Sequence, residues 1–272
     1  MSRLYVVGTP IGNLEDLSPR AKRILSEVDF IAAEDTRVTL KLLNHFEIKA
    51  ELVSYYEHNK KEKGEYIIDR ILKGESCALV SDAGMPAISD PGEDLVRLAR
   101  EKGVAVESVP GPSALITALS ISGISSGRFC FEGFLPTLKK ERKERLSEIK
   151  SEKRTMIFYE APHKLLATLS DFLETLGDRN IAACKELTKI HETVSEFTLS
   201  EAVEHFKQNP PKGEYVLILE GAKEEKTVYT LDEAVALCRS LAESGLSVSQ
   251  AAKEAAAISG IKKGDIYKEM LK

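Results

Sequence analysis

Along the first half of the chain, short apolar runs alternate with longer stretches in which apolar residues recur every three or four positions, and glycine, proline or aspartate marks most changes of period. The runs Leu4–Val7, Phe30–Ala33, 77–81 and 104–108 are short and largely apolar, as strands covered on both faces should be. Helical periodicity starts at Ser18 and at Thr36 and fills 61–72, 93–102 and 112–122. This rhythm predicts an α/β domain over residues 1–122, built on a parallel sheet with helices on both faces. The glycine- and serine-rich "SGISSGR" at 122–128 interrupts it and marks the expected boundary.

Beyond that point the pattern is less regular. Strands are expected at 129–135, 155–159, 181–187, near Phe197 and in "EYVLILEG", with helices from Lys139, over 163–176 up to Gly177, and over 200–207. The reading is a second α/β domain over 123–222 with a mixed sheet, and a cofactor cleft between the two domains. "AKEEKT" at 222–227 reads as a linker, and 228–272 as a small helical tail resembling a helix-turn-helix unit, whose last helix carries Lys262, Lys263 and Lys268. A helical cap without any nucleic acid would show the same pattern.

Composition narrows the class. With 43% hydrophobic and 30% charged residues over 272 positions, the chain can bury a sizeable core. No apolar run approaches the roughly 20 residues that cross a bilayer, and the N-terminus lacks a signal-peptide pattern, so a cytoplasmic protein without a membrane partner is expected. The four cysteines (Cys77, Cys130, Cys184, Cys238) and five histidines are scattered, which suggests buried free thiols and no metal site. A net charge of -5 argues against a uniformly basic nucleic-acid binder. Locally, however, "KKERKERLSEIKSEKR" at 139–154 is dense in Lys and Arg interleaved with Glu. It reads either as a solvated helix with pairs such as Glu141 and Arg145, or as an RNA contact.

The loops after the strands carry the candidate chemistry. "VVGTPIGN" (6–13) has Gly8 and Gly12, but Thr9 stands where a dinucleotide fingerprint needs its close-approach glycine and Pro10 removes an N–H donor. Glu34 and Asp35 follow the second strand at a spacing suited to a ribose contact, so a nicotinamide enzyme is an alternative at this stage. "SDAGMPAISDPG" (81–92) tells against it: two carboxylates, Asp82 and Asp90, and two donor-deleting prolines make a poor phosphate cradle. They suit a ligand with cationic parts, such as the sulfonium and ammonium of S-adenosylmethionine, with Ala83, Met85, Ala87 and Ile88 offering apolar contact to adenine. An irregular strand-to-helix connection capped by Asp90 would explain "SDPGED" but not "SDAGMP". "VPGPSA" (109–114) is a third such loop, and "FYEAPH", "CKELTK" and "KGEY" of the second domain would face the same ligand.

As a set, "LYVVGTPIGNLEDLSPRA", "AEDTR", "SDAGMPAISDPG", "VPGPSA", "FEGFLP", "FYEAPH" and "KELTKIHE" resemble, in this order, the tetrapyrrole methylase superfamily, and within it the branch that methylates small-subunit ribosomal RNA. The resemblance implies two α/β domains, usually as a homodimer, that pass a methyl group from S-adenosylmethionine to the ribose 2′-oxygen of a cytidine in the decoding region of the small-subunit (16S) RNA. It implies a cofactor site of Pro10, Asp82, Ala83, Gly84, Pro86, Ile88, Ser113 and Ala114 from the first domain, closed by Glu160 or Ala161, Leu187 and Gly213 from the second. The first loop departs from the G-x-G-P-G form common in tetrapyrrole-modifying members, which favours the RNA branch.

A ribose hydroxyl is a very weak acid, so a base or a cation should sit beside it. Glu34, Asp35, Arg37, Lys185 and Glu186 are the strand-end candidates, with Arg37 or Lys185 for phosphate or oxyanion contact and Glu186 or Asp35 as base or orienting group. The substrate, as RNA or assembled small ribosomal subunit, would be held through Arg128, Lys139, Lys140, Arg142 and Lys143. A methyltransferase of tetrapyrroles or other small molecules, and a non-catalytic RNA-binding assembly factor, are the competing readings.

Overall fold

The computed structural model describes residues 2–223 and 229–271; those up to Ala222 form one compact unit and those from Lys223 a second. The first sheet takes β1 (Leu4–Val7), β2 (Phe30–Ala33), β3 (Glu51–Ser54), β4 (Cys77–Val80) and β5 (Val106–Val109) in the order β3-β2-β4-β1-β5, every neighbouring pair parallel. Parallel neighbours need crossovers, supplied by α1 (Pro19–Glu27), α2 (Thr36–His45), α3 (Lys60–Leu72) and α4 (Glu93–Glu101). Alternation along the strands feeds two cores. Phe30, Ala32, Cys77 and Leu79 pack with Ile67, Ile68 and Leu95 of α3 and α4, while Ile31, Ala33, Ala78 and Val80 pack with Ile24, Leu25 and Leu43 of α1 and α2.

The hydrophobic pattern does not announce β3: of "ELVS" only Val53 is fully buried, as befits an edge strand. The last strand starts at Val106 because Val104 closes α4, its N–H donating to Ala99 O (2.8 Å) after Gly103 at φ 73°.

The second sheet, β6 (Phe129–Gly133), β7 (Thr155–Glu160), β8 (Asn180–Lys185), β9 (Thr193–Thr198) and β10 (Tyr215–Leu219), runs in the order β6-β7-β10-β8-β9. Only β6 and β7 pair in parallel, so the sheet is mixed, as expected. α6 (Lys139–Glu148), α7 (Pro162–Leu176) and α8 (Leu199–Gln208) cover one face. The other is covered by α5 (Ala114–Ile121), whose Leu115, Ala118 and Leu119 pack on Ile157, Ala182, Cys184, Val216 and Ile218. Since α5 follows β5 directly, the helix leaving the first sheet becomes the lid of the second, and this locks the two sheets around one cleft.

The second unit holds α9 (Leu231–Glu243), α10 (Val248–Ser259) and α11 (Lys263–Met270) around Val235, Cys238, Ala251, Ala252, Ala255 and Ile266. Reciprocal capping boxes, Thr230 with Glu233 and Ser247 with Gln250, start the first two helices, and Gly260 at φ 71° ends α10. The expected linker lies largely outside the described residues. Among the described residues no helix is long and apolar enough to cross a membrane.

Candidate active site between the sheets

β1 and β4 are neighbours, yet α1 packs on one face of the sheet and α4 on the other. Where consecutive crossovers part in this way, an open α/β sheet has a crevice at the carboxyl ends of its strands. The loops after β1 and β4 fill it and are tied to each other by Thr9 N to Gly84 O (2.9 Å) and Gly84 N to Thr9 O (3.1 Å). The buried Thr9 hydroxyl donates to Ser81 O (3.3 Å). The loop after β5 closes against the first at two glycines: a Cβ on Gly8 would lie 2.7 Å from Gly111 Cα. Gly8 is thus required by backbone packing against another loop, not by a pyrophosphate.

The loop 81–92 carries four left-handed residues, Gly84 (φ 85°), Ala87 (φ 67°), Ser89 (φ 65°) and Gly92 (φ 145°). For Ala87 and Ser89 this conformation costs on the order of 1 kcal/mol each, and such strain is retained mainly where a site needs it. Ile88 and Asp90, each following one of these two residues, line the cleft. The capping explanation for Asp90 fails, because the N-cap of α4 is Gly92 and no side chain bonds to that helix start.

Between the loops lies a cavity of about 460 Å³, within the range that holds small molecules and cofactors. Ile11, Met85, Ile88, Ala114, Phe134, Leu187 and Val216 supply its apolar wall. Its charged wall is Glu34, Asp82, Asp90, Glu160 and Glu214, and among the described residues no lysine or arginine lines it. Burial pushes the Asp90 carboxyl up to about 6, with the charges of Glu34 and Asp82 adding to it. Burial likewise raises Glu34 and Asp82 above the usual carboxylate range. Glu34 accepts from Asp82 N (3.3 Å), and Asp82 in turn accepts from Asp35 N (3.1 Å). Glu160 is held by Ala161 N (2.9 Å) and the Thr168 hydroxyl (2.5 Å). An acid-lined, partly apolar cavity fits a ligand with positive charge and an aromatic or aliphatic body.

The predicted cofactor residues Asp82, Ala83, Gly84, Ile88, Ser113, Ala114, Glu160, Ala161 and Leu187 all line this cavity. Pro10 sits beside the lining residue Ile11, and Pro86 is buried beneath the loop. Gly213 is a turn residue at φ 81°, packed so that a Cβ would meet Glu186 Oε1 at 2.6 Å, and its neighbour Glu214 reaches the wall instead. Ser113 is the N-cap of α5 without a cap hydrogen bond, which leaves its hydroxyl to the cavity.

The charged candidates part company. Glu34 lines the cavity, whereas Asp35 caps α2 and pairs with Arg37 (2.6 Å), whose side chain is 87% exposed. Hydrogen bonds from Arg37 hold the Asp35 carboxyl down to about 2, too weak a base for a ribose hydroxyl. Along β8, Cys184 faces the cavity and α5, so Lys185 points to the other face, into a shallow pocket with Lys212 and His205. Glu186, at φ 51°, accepts from Glu214 N (2.9 Å) and pairs with Lys189 (3.1 Å), which pins the 213–214 turn. Its left-handed backbone ends β8 two residues early and turns Leu187 into the cavity.

Of the proposed RNA contacts, Arg128, Lys139, Lys140 and Lys143 are exposed. Arg142 is not: its side chain is 17% exposed and donates to Asp171 (2.7 Å) and Thr168 (2.8 Å), so it braces the residue that holds Glu160. Nor does Arg145 pair with Glu141; it joins Glu132 and Glu148. Tyr159, Phe134 and Cys184 enter the wall without having been singled out. All lie within the motifs, and strand alternation from Phe158, which faces α7, would have placed Tyr159 on the cavity side.

Comparison with known proteins agrees with this architecture. Residues 3–203 match the Tetrapyrrole (Corrin/Porphyrin) Methylases family, and residues 230–272 match the RsmI C-terminal HTH domain. The chain is 49% identical to ribosomal RNA small subunit methyltransferase I of Halalkalibacterium halodurans over 97% of its own length and 93% of that protein. It is 46% identical to the protein of the same name from Escherichia coli O157:H7, over 99% and 94%. Uroporphyrin-III C-methyltransferase from Thermus thermophilus, solved as a complex with S-adenosyl homocysteine, superposes with a TM-score of 0.58 at 21% identity, over 80% of this chain and 97% of that one. The chain therefore belongs to the tetrapyrrole methylase family, among the ribosomal RNA small subunit methyltransferase I proteins.

Proposed function

We infer that this chain transfers a methyl group from S-adenosylmethionine to small-subunit ribosomal RNA, at the ribose 2′-oxygen of a cytidine in the decoding region. The observation that carries the reading is the cavity wall, with five carboxylates, an apolar side and no lysine or arginine among the described residues, in a chain of this family. A unit charge pair about 4 Å apart at a protein surface is worth about 4 kcal/mol in magnitude, so such a wall favours a sulfonium and an ammonium and disfavours a pyrophosphate. The same wall tells against the nicotinamide alternative.

Asp82, Ala83, Gly84, Ile88, Ser113 and Ala114 would hold the cofactor from one side, and Glu160, Ala161 and Leu187 from the other. Bound S-adenosylmethionine supplies a methyl group already activated on a sulfonium. The protein has two tasks left: to hold the acceptor oxygen in line and to take its proton. Tyr159 and the buried Leu187 of the wall would screen the reacting atoms from water. The acidic wall keeps RNA phosphates outside, so the backbone is met by the exposed Lys139, Lys140, Lys143 and Arg128. Action on the assembled subunit in the cytoplasm, by two copies of the chain together, belongs to the same reading.

The test is calorimetric titration with S-adenosylmethionine and with NADH, followed by methyl incorporation into free small-subunit RNA and assembled subunits, with the product mapped by resistance to alkaline cleavage. Binding of the methyl donor alone and one alkali-resistant cytidine are expected. Donor binding without methylated RNA would refute the acceptor, and no donor binding would refute the activity.

A further inference from the structure

We propose that Asp90 is the general base of the transfer, accepting the proton of the acceptor hydroxyl as the methyl group moves; the proposal rests on the methyl-transfer reading above. It follows from comparing the carboxylates of the wall. Glu34 is bonded to Asp82 N, Asp82 to Asp35 N, and Glu160 to Ala161 N and Thr168. Glu214 is paired with Lys189 (3.0 Å) and its side chain is largely exposed. Asp90 alone of the five has neither a backbone donor nor a cation among the described residues, and the nearby Ser81 hydroxyl donates to Ala83 O (3.4 Å).

Asp90 also lacks a structural task. Carboxylates elsewhere in the chain show one: Asp94 pairs with Lys60, Asp178 takes Ser200, and Asp35 caps α2. Asp90 neither caps α4 nor enters an ion pair, yet left-handed Ala87, Ser89 and Gly92 flank it and hold it in the cavity. A part-buried, unpaired carboxylate on a strained loop is destabilising, and it is retained where chemistry needs it.

The groups facing it are Glu34 from the end of β2, Asp82 from its own loop and Tyr159 from β7; Glu160 and Glu214 complete the ionisable carboxylate wall. With its carboxyl pushed up to about 6, Asp90 is a stronger base than an ordinary carboxylate and is still ionised at neutral pH. The step balances. The ribose oxygen forms a bond to the methyl carbon while the carbon–sulfur bond breaks with its electron pair going to sulfur, and the hydroxyl proton passes to an Asp90 oxygen and then to solvent.

The experiment compares the full-length wild type with Asp90→Asn and Asp90→Glu in methyl transfer to small-subunit RNA between pH 5 and 8.5, together with S-adenosylmethionine binding by calorimetry without RNA. Expected are an acid limb in wild-type kcat near pH 6, a fall in kcat of about 10²-fold or more in Asp90→Asn with that limb gone, donor Kd within about threefold of wild type, and partial rescue by Asp90→Glu. Donor affinity tenfold weaker with saturated kcat and the limb intact would make Asp90 a cofactor-holding residue and overturn the proposal. Unchanged kcat would overturn it as well. A wild type that binds the donor but methylates no RNA would instead defeat the underlying reading, so the two failures are distinguishable.

Discussion

Asp90→Asn in the ligand-free protein should raise stability at neutral pH and leave it unchanged in acid. The Asp90 carboxyl moves from 3.8 unfolded to about 6 folded, because burial and the nearby Glu34 and Asp82 disfavour its charge. A folded value above the unfolded one means that the folded state binds the proton more tightly. Below pH 3.8 both states are protonated and the residue costs nothing; the cost grows as pH rises through the window from 3.8 to 6 and is complete above it. At 1.36 kcal/mol per unit, the full displacement corresponds to roughly 3 kcal/mol. Solvent reaches part of this carboxyl, and screening reduces the figure to about 1–2 kcal/mol. The isosteric amide removes the charge and keeps the side-chain shape. Thermal melts of both proteins at one-unit steps from pH 4 to 8 should give coincident transitions at pH 4 and an Asp90→Asn transition about 3–6 °C higher at pH 7 and 8. Titrating groups remote from Asp90 cancel in the difference, and only the coupled Glu34 and Asp82 do not. A gap independent of pH, or a wild type that is the more stable at pH 7, would refute the account of the acid wall.

Other perturbations follow from the geometry. Gly8→Ala sets a methyl group 2.7 Å from Gly111 Cα, backbone that cannot yield, and should cost about 1–3 kcal/mol and weaken donor binding; an unchanged melting temperature would show that the loops are not locked. Arg142→Ala should lower stability by about 2–3 kcal/mol through its lost bonds to Asp171 and Thr168, and should loosen Glu160. Combined alanine substitution of Lys139, Lys140 and Lys143, all exposed, should leave the melt unchanged while flattening the salt dependence of RNA binding by up to about two log–log units; an unchanged slope would return α6 to plain solvent exposure. Ser247→Ala removes the cap of α10 and should cost its unit about 1 kcal/mol with donor affinity unaffected, as read by calorimetry and tail-specific proteolysis.

Much of the fold was legible because its cues are local. Four-residue apolar runs separated by helical stretches of about ten residues read as strands covered on both faces of a parallel sheet. The edge strand β3 escaped, since an edge strand half exposed to solvent has no continuous apolar run to betray it.

Which chemical groups share the cavity was a different matter. The motif loops could be located from sequence, and most of the residues tied to them do line one wall. The direction of each charged side chain was not local information. Cys184 points in and Lys185 out because β10 and α5 set which face of β8 is the cavity face, and a one-residue slip would exchange them. Asp35 and Arg37 satisfy each other, Arg142 is drawn inward by Asp171 and Thr168, and Asp90 is released from helix capping by the turn at Gly92. Local periodicity determined the elements and the loops that bear the chemistry, whereas only the meeting of the two sheets' strand-end loops around one cavity decided which carboxylates lose their partners, because pairing and burial are properties of residues far apart in the chain.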